Sequence, residues 1–260
     1  QEVTQCSVYE VTLTNSGSYT ASEKYRSLDV EATFSGPNGE SVTVTGFWDG
    51  GDTFKIRFAP SAVGTWSYHT SSSEPSLDGQ TGSFDVVSPT STQINNNPNY
   101  RGFVETSSSD RYFRYADGTP FLWMGGTIWD GNSKNMPYSS DFQQYVDDRS
   151  SKGFTAVQIL VGEPHKSYGG SRYTGWNENG KLFASNYDEI NPANLQNFDR
   201  RIEYILQNGM VPVIFPTWGG AFGKMSTTEL KQFYRYIAAR YGAYNIMWSV
   251  TGEYGQSPSM

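Results

Sequence analysis

The period of the apolar residues changes near residue 88, and that change limits the possible folds more than any other feature. Before it, the chain reads as short strands. Leu28, Val30, Ala32 and Phe34 alternate with Asp29, Glu31 and Thr33, and Phe54, Ile56 and Phe58 alternate with Lys55 and Arg57. A period of two marks half-buried strands. Val8–Leu13, Val42–Trp48, Val63–Tyr68 and Ser83–Val87 add further strands, and Gly36-Pro37-Asn38-Gly39 and Asp49-Gly50-Gly51-Asp52 supply turns. Roughly six or seven short strands at regular spacing predict an antiparallel β-sandwich over residues 1–88. Residues 89–99 are rich in Ser, Thr, Asn and Pro, lack periodicity and read as a linker.

Beyond the linker, over 100–260, buried strands alternate with amphipathic helices. Phe113–Tyr115 and Asp117-Gly118-Thr119-Pro120 predict a small hairpin. Strands are expected over Phe121–Ile128, Phe154–Val161, Val211–Phe215 and Tyr244–Val250. Helices are expected over Ser140–Ser151 and Asn194–Asn208, and again after the Ser226-Thr227-Thr228-Glu229 capping box. A β-α-β-α-β-α-β order with continuous apolar strands predicts a parallel sheet covered by helices. The strand ends carry the polar and aromatic residues: Gly125-Gly126-Thr127, Gly162-Glu163-Pro164-His165, Pro216-Thr217-Trp218 and Gly252-Glu253-Tyr254. In a barrel these ends share the face where active sites lie.

Glu253 is the leading chemical candidate. A Glu at the end of a buried strand with Trp248 and Tyr254 beside it suits a carboxyl held protonated by an apolar wall. The alternative is a strand-end Glu that caps the following helix. Trp129 and Trp218, at strand ends, are expected to form stacking subsites. Trp176 lies in the Gly/Tyr/Asn-rich loop 168–179 and is expected to act as a lid. His165 is placed to bond a sugar hydroxyl or steady a carboxylate, with an exposed loop position as the alternative. Trp48 and Trp66 are expected to be core or interdomain residues.

Composition narrows the chemistry. Aromatics make up 15% and charged residues 17%, with 18 Tyr and 7 Trp, a profile suited to stacking on pyranose rings. The net charge of −7 and the lack of a Lys/Arg cluster argue against nucleic acid as a partner. Two His and one Cys argue against a catalytic zinc site. Asp130–Asn135 lacks the bidentate Glu of a calcium loop and reads as a turn. No phosphate-cradling loop occurs, so no cofactor is expected. No apolar run approaches the ~20 residues of a membrane span. The polar, Thr-rich start at Gln1 resembles a processed chain, so a secreted or periplasmic bacterial setting is expected.

The ordered motifs resemble a known family. Phe54–Pro60 followed by Gly64-Thr65-Trp66-Ser67-Tyr68 is similar to the immunoglobulin-like domain that precedes certain glycoside hydrolases. Tyr112–Phe121, Gly125–Trp129, Gly153–Gln158, Gly209–Val213 and Asn245–Glu253 resemble the apiosidase-like catalytic barrel, related to clan A hydrolases. The resemblance departs at Gly126 and Glu253, where relatives carry Asp, and fold-level likeness does not fix a reaction. It implies an Ig-like sandwich followed by a (β/α)₈ TIM barrel, a retaining glycosidase acting on a plant or algal polysaccharide or its oligosaccharides, and Glu253 as acid/base at the end of the fourth strand.

An eight-unit barrel takes about 250 residues. Only the first four βα units are legible here, and the clan A nucleophile follows the seventh strand. The remainder of the barrel is therefore expected to be supplied by protein outside these residues, the fragment alone being inactive. The alternative is an internal partner for Glu253, with Glu163 first and Asp130 second. A non-catalytic carbohydrate-binding protein on a degenerate barrel needs only the aromatic platforms and remains the competing function class. A polysaccharide lyase or a structural surface module is the weaker third.

Overall fold

The computed structural model describes residues 1–106, 111–162, 175–184 and 187–253, and the backbone of 167–168 and 172–173. The amino-terminal strands are β1 (Glu2–Thr4), β2 (Tyr9–Thr14), β3 (Val30–Ser35), β4 (Ser41–Thr45), β5 (Phe47–Trp48), β6 (Thr53–Phe58), β7 (Gly64–Ser72) and β8 (Thr81–Val87). They form two sheets, ordered β1-β8-β7-β3-β4 and β2-β6-β5. The expected all-antiparallel pairing fails at one edge, where β1 runs parallel to β8. Alternation decides the rest: Val30, Ala32 and Phe34 of β3 and Phe54, Ile56 and Phe58 of β6 are buried between the sheets. Tyr9 stacks on Phe84 at 3.8 Å, and Phe34 on Phe58 at 4.2 Å.

Two short helices occupy segments read as loop. α1 (Ala21–Arg26) lies inside the first 88 residues, where only strands were expected, and α2 (Ser91–Asn96) lies inside the expected linker. Both are opened by capping boxes, Thr20 with Glu23 and Thr90 with Gln93. The Thr-x-x-Glu/Gln spacing was present in the sequence, but neither segment has an apolar stripe to draw attention to it. A 3₁₀ turn, Pro98–Arg101, follows.

The carboxyl-terminal part begins with the antiparallel sheet β9 (Val104–Thr106), β10 (Phe113–Tyr115) and β11 (Pro120–Phe121), which contains the expected hairpin. A four-stranded parallel sheet then forms from β12 (Gly125–Ile128), β13 (Ala156–Leu160), β18 (Val211–Phe215) and β19 (Met247–Trp248), in that spatial order. Between β13 and β18 lie the small hairpins β14 (Ser167–Tyr168) with β15 (Arg172–Tyr173) and β16 (Trp176–Asn177) with β17 (Gly180–Lys181). The crossover helices are α3 (Gln143–Ser151), α4 (Pro192–Gln207) and α5 (Thr227–Tyr241). α4 starts at an Asn191 N-cap with Pro192 in its first turn, and α5 at the expected Ser226/Glu229 box.

Three strands are shorter than the sequence predicts: β13 covers Ala156–Leu160 of the expected Phe154–Val161, and the two edge strands lose more. Of Phe121–Ile128, Phe121 pairs in the small sheet and only Gly125–Ile128 joins the parallel one; between them Leu122 is 75% exposed. Of Tyr244–Val250, only Met247–Trp248 is strand, and Trp248 and Val250 are 44% and 73% exposed rather than buried. The cause is position: β12 and β19 are the sheet's two edges, so an apolar strand there lacks a neighbour on one side.

The two parts are not independent units joined by a tether. One hydrophobic cluster runs from Val3 through the sandwich to the helices and Tyr244. Tyr236 of α5 packs on Tyr25 and Phe47, and its hydroxyl donates to Trp48 O at 2.5 Å. Trp48 thus is an interdomain residue and Trp66, fully buried, a core one, as expected. Charges cross the same interface. Arg57 of β6 donates to Asp199 of α4 at 2.9 Å and to Arg240 O of α5 at 2.9 Å. Arg240 donates to both oxygens of Asp199, at 2.8 and 2.7 Å, and lies 2.8 Å from Asp49. Glu10 pairs with Arg57 and Lys55, and Lys55 with Asp49. Three acids thus meet three bases. Burial by itself would raise the Asp199 pKa, but Arg240 and Arg57 hold it down to about 2.

Breaking a buried pair leaves a stranded charge, so Asp199→Asn is expected to cost about 3 kcal/mol or more in denaturant unfolding; a loss below about 1 kcal/mol would show that the network does not secure the interface. The folded pKa of Asp199 lies below its ordinary 3.8, so between these values the native state binds fewer protons than the unfolded one. Its contribution is full above the ordinary value and is lost as pH falls through about 2. Acid titration of stability should therefore be shallower in Asp199→Asn than in the parent between about pH 4 and pH 2.

Candidate functional site

The parallel sheet presents two faces. In register, Gln158, Val213 and Met247 lie on one face, and Ile159, Ile214 and Trp248 on the other. Ile159 and Ile214 join the helix-side core, whereas Ala156, Val211 and Val213 pack with Tyr115 and Phe121 of the small sheet. Trp248 therefore belongs to the helix side. It is not the aromatic wall expected beside Glu253.

That wall is Trp218. Its indole N–H donates to Glu253 Oε2 at 2.9 Å. The same indole meets Trp129 edge-on, with centroids 4.9 Å apart at 70°. Trp129 in turn meets Phe215 at 5.0 Å and 84°, and Phe215 lies 6.1 Å from Trp218. Three aromatic rings and one carboxylate thus converge at the carboxyl ends of β12, β18 and β19. The rings are half-buried and Glu253 is exposed, so the cluster opens to solvent.

Backbone bonds place these groups. Gly219 N donates to Gly252 O at 2.8 Å, and Trp218 bridges Gly252 in parallel fashion, which extends the β18–β19 pairing past the strands. Thr251 Oγ1 donates to Thr217 O at 3.1 Å, and Tyr234 of α5 donates to Val250 O at 2.7 Å. Burial pushes the Tyr234 phenol up to about 12, so it stays a neutral donor near pH 7. Glu253 has a φ of 52°, the left-handed region, at a cost of about 1–3 kcal/mol for a residue with a Cβ. These contacts hold it there.

Behind the aromatic cluster a buried amide set secures the loops. Asn132 Nδ2 donates to Val161 O at 2.7 Å, Asn177 Nδ2 to Asn132 Oδ1 at 2.8 Å, and Asn194 Nδ2 to Gly180 O at 2.7 Å. Gly162 lets the end of β13 meet the 175–182 loop: a Cβ there would fall 2.6 Å from Gly175 Cα. Arg201, buried, ties Gly131 O and Met136 O to the carboxylate of Glu178. The Asp130–Asn135 segment is a turn, as expected.

The expected site residues divide. Glu253, Trp129 and Trp218 come together. Trp176 sits in β16, with Lys134 Nζ 4.0 Å and Lys181 Nζ 5.0 Å from its ring centre, so cations occupy a ring expected to be a sugar-facing lid. Glu163, His165 and Tyr254 lie outside the described residues. Sequence reasoning missed Phe215, a strand residue, and assigned Trp218 only to sugar stacking. The missed signal is position: Trp129 follows β12 and Phe215 and Trp218 stand at the end of β18, two parallel strands separated only by β13, so large side chains at that level can reach one another. Among the described residues no group of three or more His, Cys, Asp or Glu could hold a metal, and no helix is long and apolar enough to cross a membrane.

Residues 2–73 match a domain of unknown function, DUF5060. Over its full length the chain superposes on a candidate glycoside hydrolase from Bacteroides vulgatus ATCC 8482, with a TM-score of 0.81 and 23% identity, and it spans 51% of that chain. A glycoside hydrolase family 5 structure from the same organism aligns with 60% of this chain and 34% of its own, at 23% identity and a TM-score of 0.47. No curated protein matches. Residues 107–259, more than half of the chain, match the apiosidase-like catalytic domain. The chain belongs to the apiosidase-like glycoside hydrolase family.

Proposed function

We propose that this chain is the amino-terminal portion of a retaining glycoside hydrolase that acts on a plant or algal polysaccharide or its oligosaccharides, with Glu253 as general acid/base. The observation that carries the reading is the exposed Glu253 carboxylate beside the Trp129–Phe215–Trp218 wall at the strand ends. Flat aromatic faces hold a sugar ring, and a positioned carboxyl next to them transfers the proton. As the glycosidic C–O bond breaks and the second carboxylate bonds to the anomeric carbon, the Glu253 acid protonates the departing oxygen. Its carboxylate then takes a proton from the water that attacks the same carbon and releases the second carboxylate. Glu163, His165 and Tyr254 are proposed to line the same face and contact further sugar hydroxyls, with Trp176, its ring held by Lys134 and Lys181, at the border of that face.

The proposed division is an immunoglobulin-like sandwich over 1–88, a connection over 89–99 and the first four units of a (β/α)₈ barrel over 100–260, with the sandwich docked on α4 and α5. Support for the half barrel comes from four sequential parallel strands with an exposed edge at Trp248 and Val250. The span of 51% of the Bacteroides vulgatus structure points the same way. A hydrolase needs a second carboxyl about 5–5.5 Å away to retain configuration, and in this reading it comes from the rest of the barrel. The low-charge, aromatic-rich composition supports a secreted or periplasmic bacterial enzyme.

In the complete enzyme, Glu253→Gln is expected to lower turnover of natural substrate by about 10²-fold or more, with a smaller loss on aryl glycosides whose leaving group needs no proton. Near-normal turnover of natural substrate by this variant would remove Glu253 from the mechanism. Residues 1–260 alone are expected to leave oligosaccharides uncleaved; cleavage by that fragment would place both carboxyls within it, with Glu163 the first to test.

A further inference from the structure

Gly252, Trp218 and Glu253 form one built unit that spans two strand ends. Gly252 is buried, and a Cβ on it would fall inside the indole of Trp218. The indole therefore lies across the Gly252 Cα, from where its N–H reaches Glu253 Oε2 at 2.9 Å. A larger residue at 252 would push the ring away and break the bond. Glu253 is exposed and carries three rotatable side-chain bonds, whereas proton transfer requires one placement within hydrogen-bond reach.

We propose that Trp218 is a positioning residue for Glu253, which holds Oε2 so that Oε1 carries and delivers the proton, and that Gly252 is the seat that makes this possible. The inference rests on the reading of Glu253 as acid/base. Its chemistry follows from the donor. An indole N–H donates and cannot accept. Oε2 can accept that bond whether the carboxyl is ionised or neutral, but it cannot carry the acidic hydrogen toward another donor. The bond is stronger when Oε2 is the carbonyl oxygen of the neutral acid, so it favours the proton on Oε1. A Tyr or His at 218 could donate or accept and would not impose this choice.

The first test needs no turnover. In ¹⁵N-labelled protein, the Trp218 indole resonance, identified by its loss in Trp218→Phe, is expected to shift with pH as the carboxyl it donates to changes protonation. The shift should vanish in Glu253→Gln and persist in Asp130→Asn, the acid that follows Trp129. It should also vanish in Gly252→Ala while the other indole resonances keep their positions, which reports an intact fold. A Trp218 resonance that ignores pH, or that titrates unchanged in Glu253→Gln or Gly252→Ala, would overturn the proposal. The second test uses the complete enzyme. Trp218→Phe keeps a ring for stacking but loses the N–H. It should lower kcat on natural substrate by at least about tenfold, the loss expected for one charge-assisted hydrogen bond, with KM within about threefold. A change confined to KM would assign Trp218 to sugar binding alone. Failure of Glu253 as acid/base would appear separately, as normal turnover in Glu253→Gln while the Trp218 resonance responds to pH in the parent and not in that variant.

Discussion

The ion network of Arg57, Asp199 and Arg240 is the contact on which the arrangement of the two parts depends. It sits where the outer face of the β2-β6-β5 sheet meets α4 and α5, and all three side chains are buried or nearly so. Buried charges are costly unless every one is matched, so the interface tolerates only the geometry in which Asp199 faces both guanidiniums. Apolar packing of Tyr236 against Tyr25 and Phe47 adds area. Such packing is non-directional, and the ion set supplies the direction.

That constraint reaches the candidate site through the helices. α4 carries Asp199 on one side and Asn194 and Arg201 on others; the last two tie down the loops after β12 and β13. α5 carries Arg240, and also Tyr234, which donates to Val250 O just before Glu253. The two helices clamped by the sandwich are thus the two that support the strand ends. A sandwich docked in this way serves the carboxyl-terminal part as a brace rather than as a separate module on a tether.

Much of the carboxyl-terminal part was legible because buried parallel strands and capped amphipathic helices have strong local signals. Val211–Phe215 matched its expected bounds, and α5 began at its capping box. Edge strands were misjudged because apolar composition says that a residue prefers burial, not that a neighbour is present. Trp248 and Val250 show the difference. α1 and α2 were missed because short helices are held by caps and tertiary contacts rather than by periodicity.

The sequence by itself determined the two-part order, the parallel sheet, the aromatic character of the strand ends and Glu253 as the carboxyl worth following. These are local properties: the period of apolar residues, capping spacing and residue type at a strand's end. Tertiary structure alone decided that Trp218, and not Trp248, is the aromatic partner of Glu253. Register sends Trp248 to the helix side and brings residues 218 and 253, thirty-five positions apart, within one hydrogen bond. It alone decided that Arg57, read from sequence as the polar side of a strand, is buried against Asp199. Such pairings depend on how sheets and helices dock, and no local pattern encodes the distance between side chains so far apart along the chain.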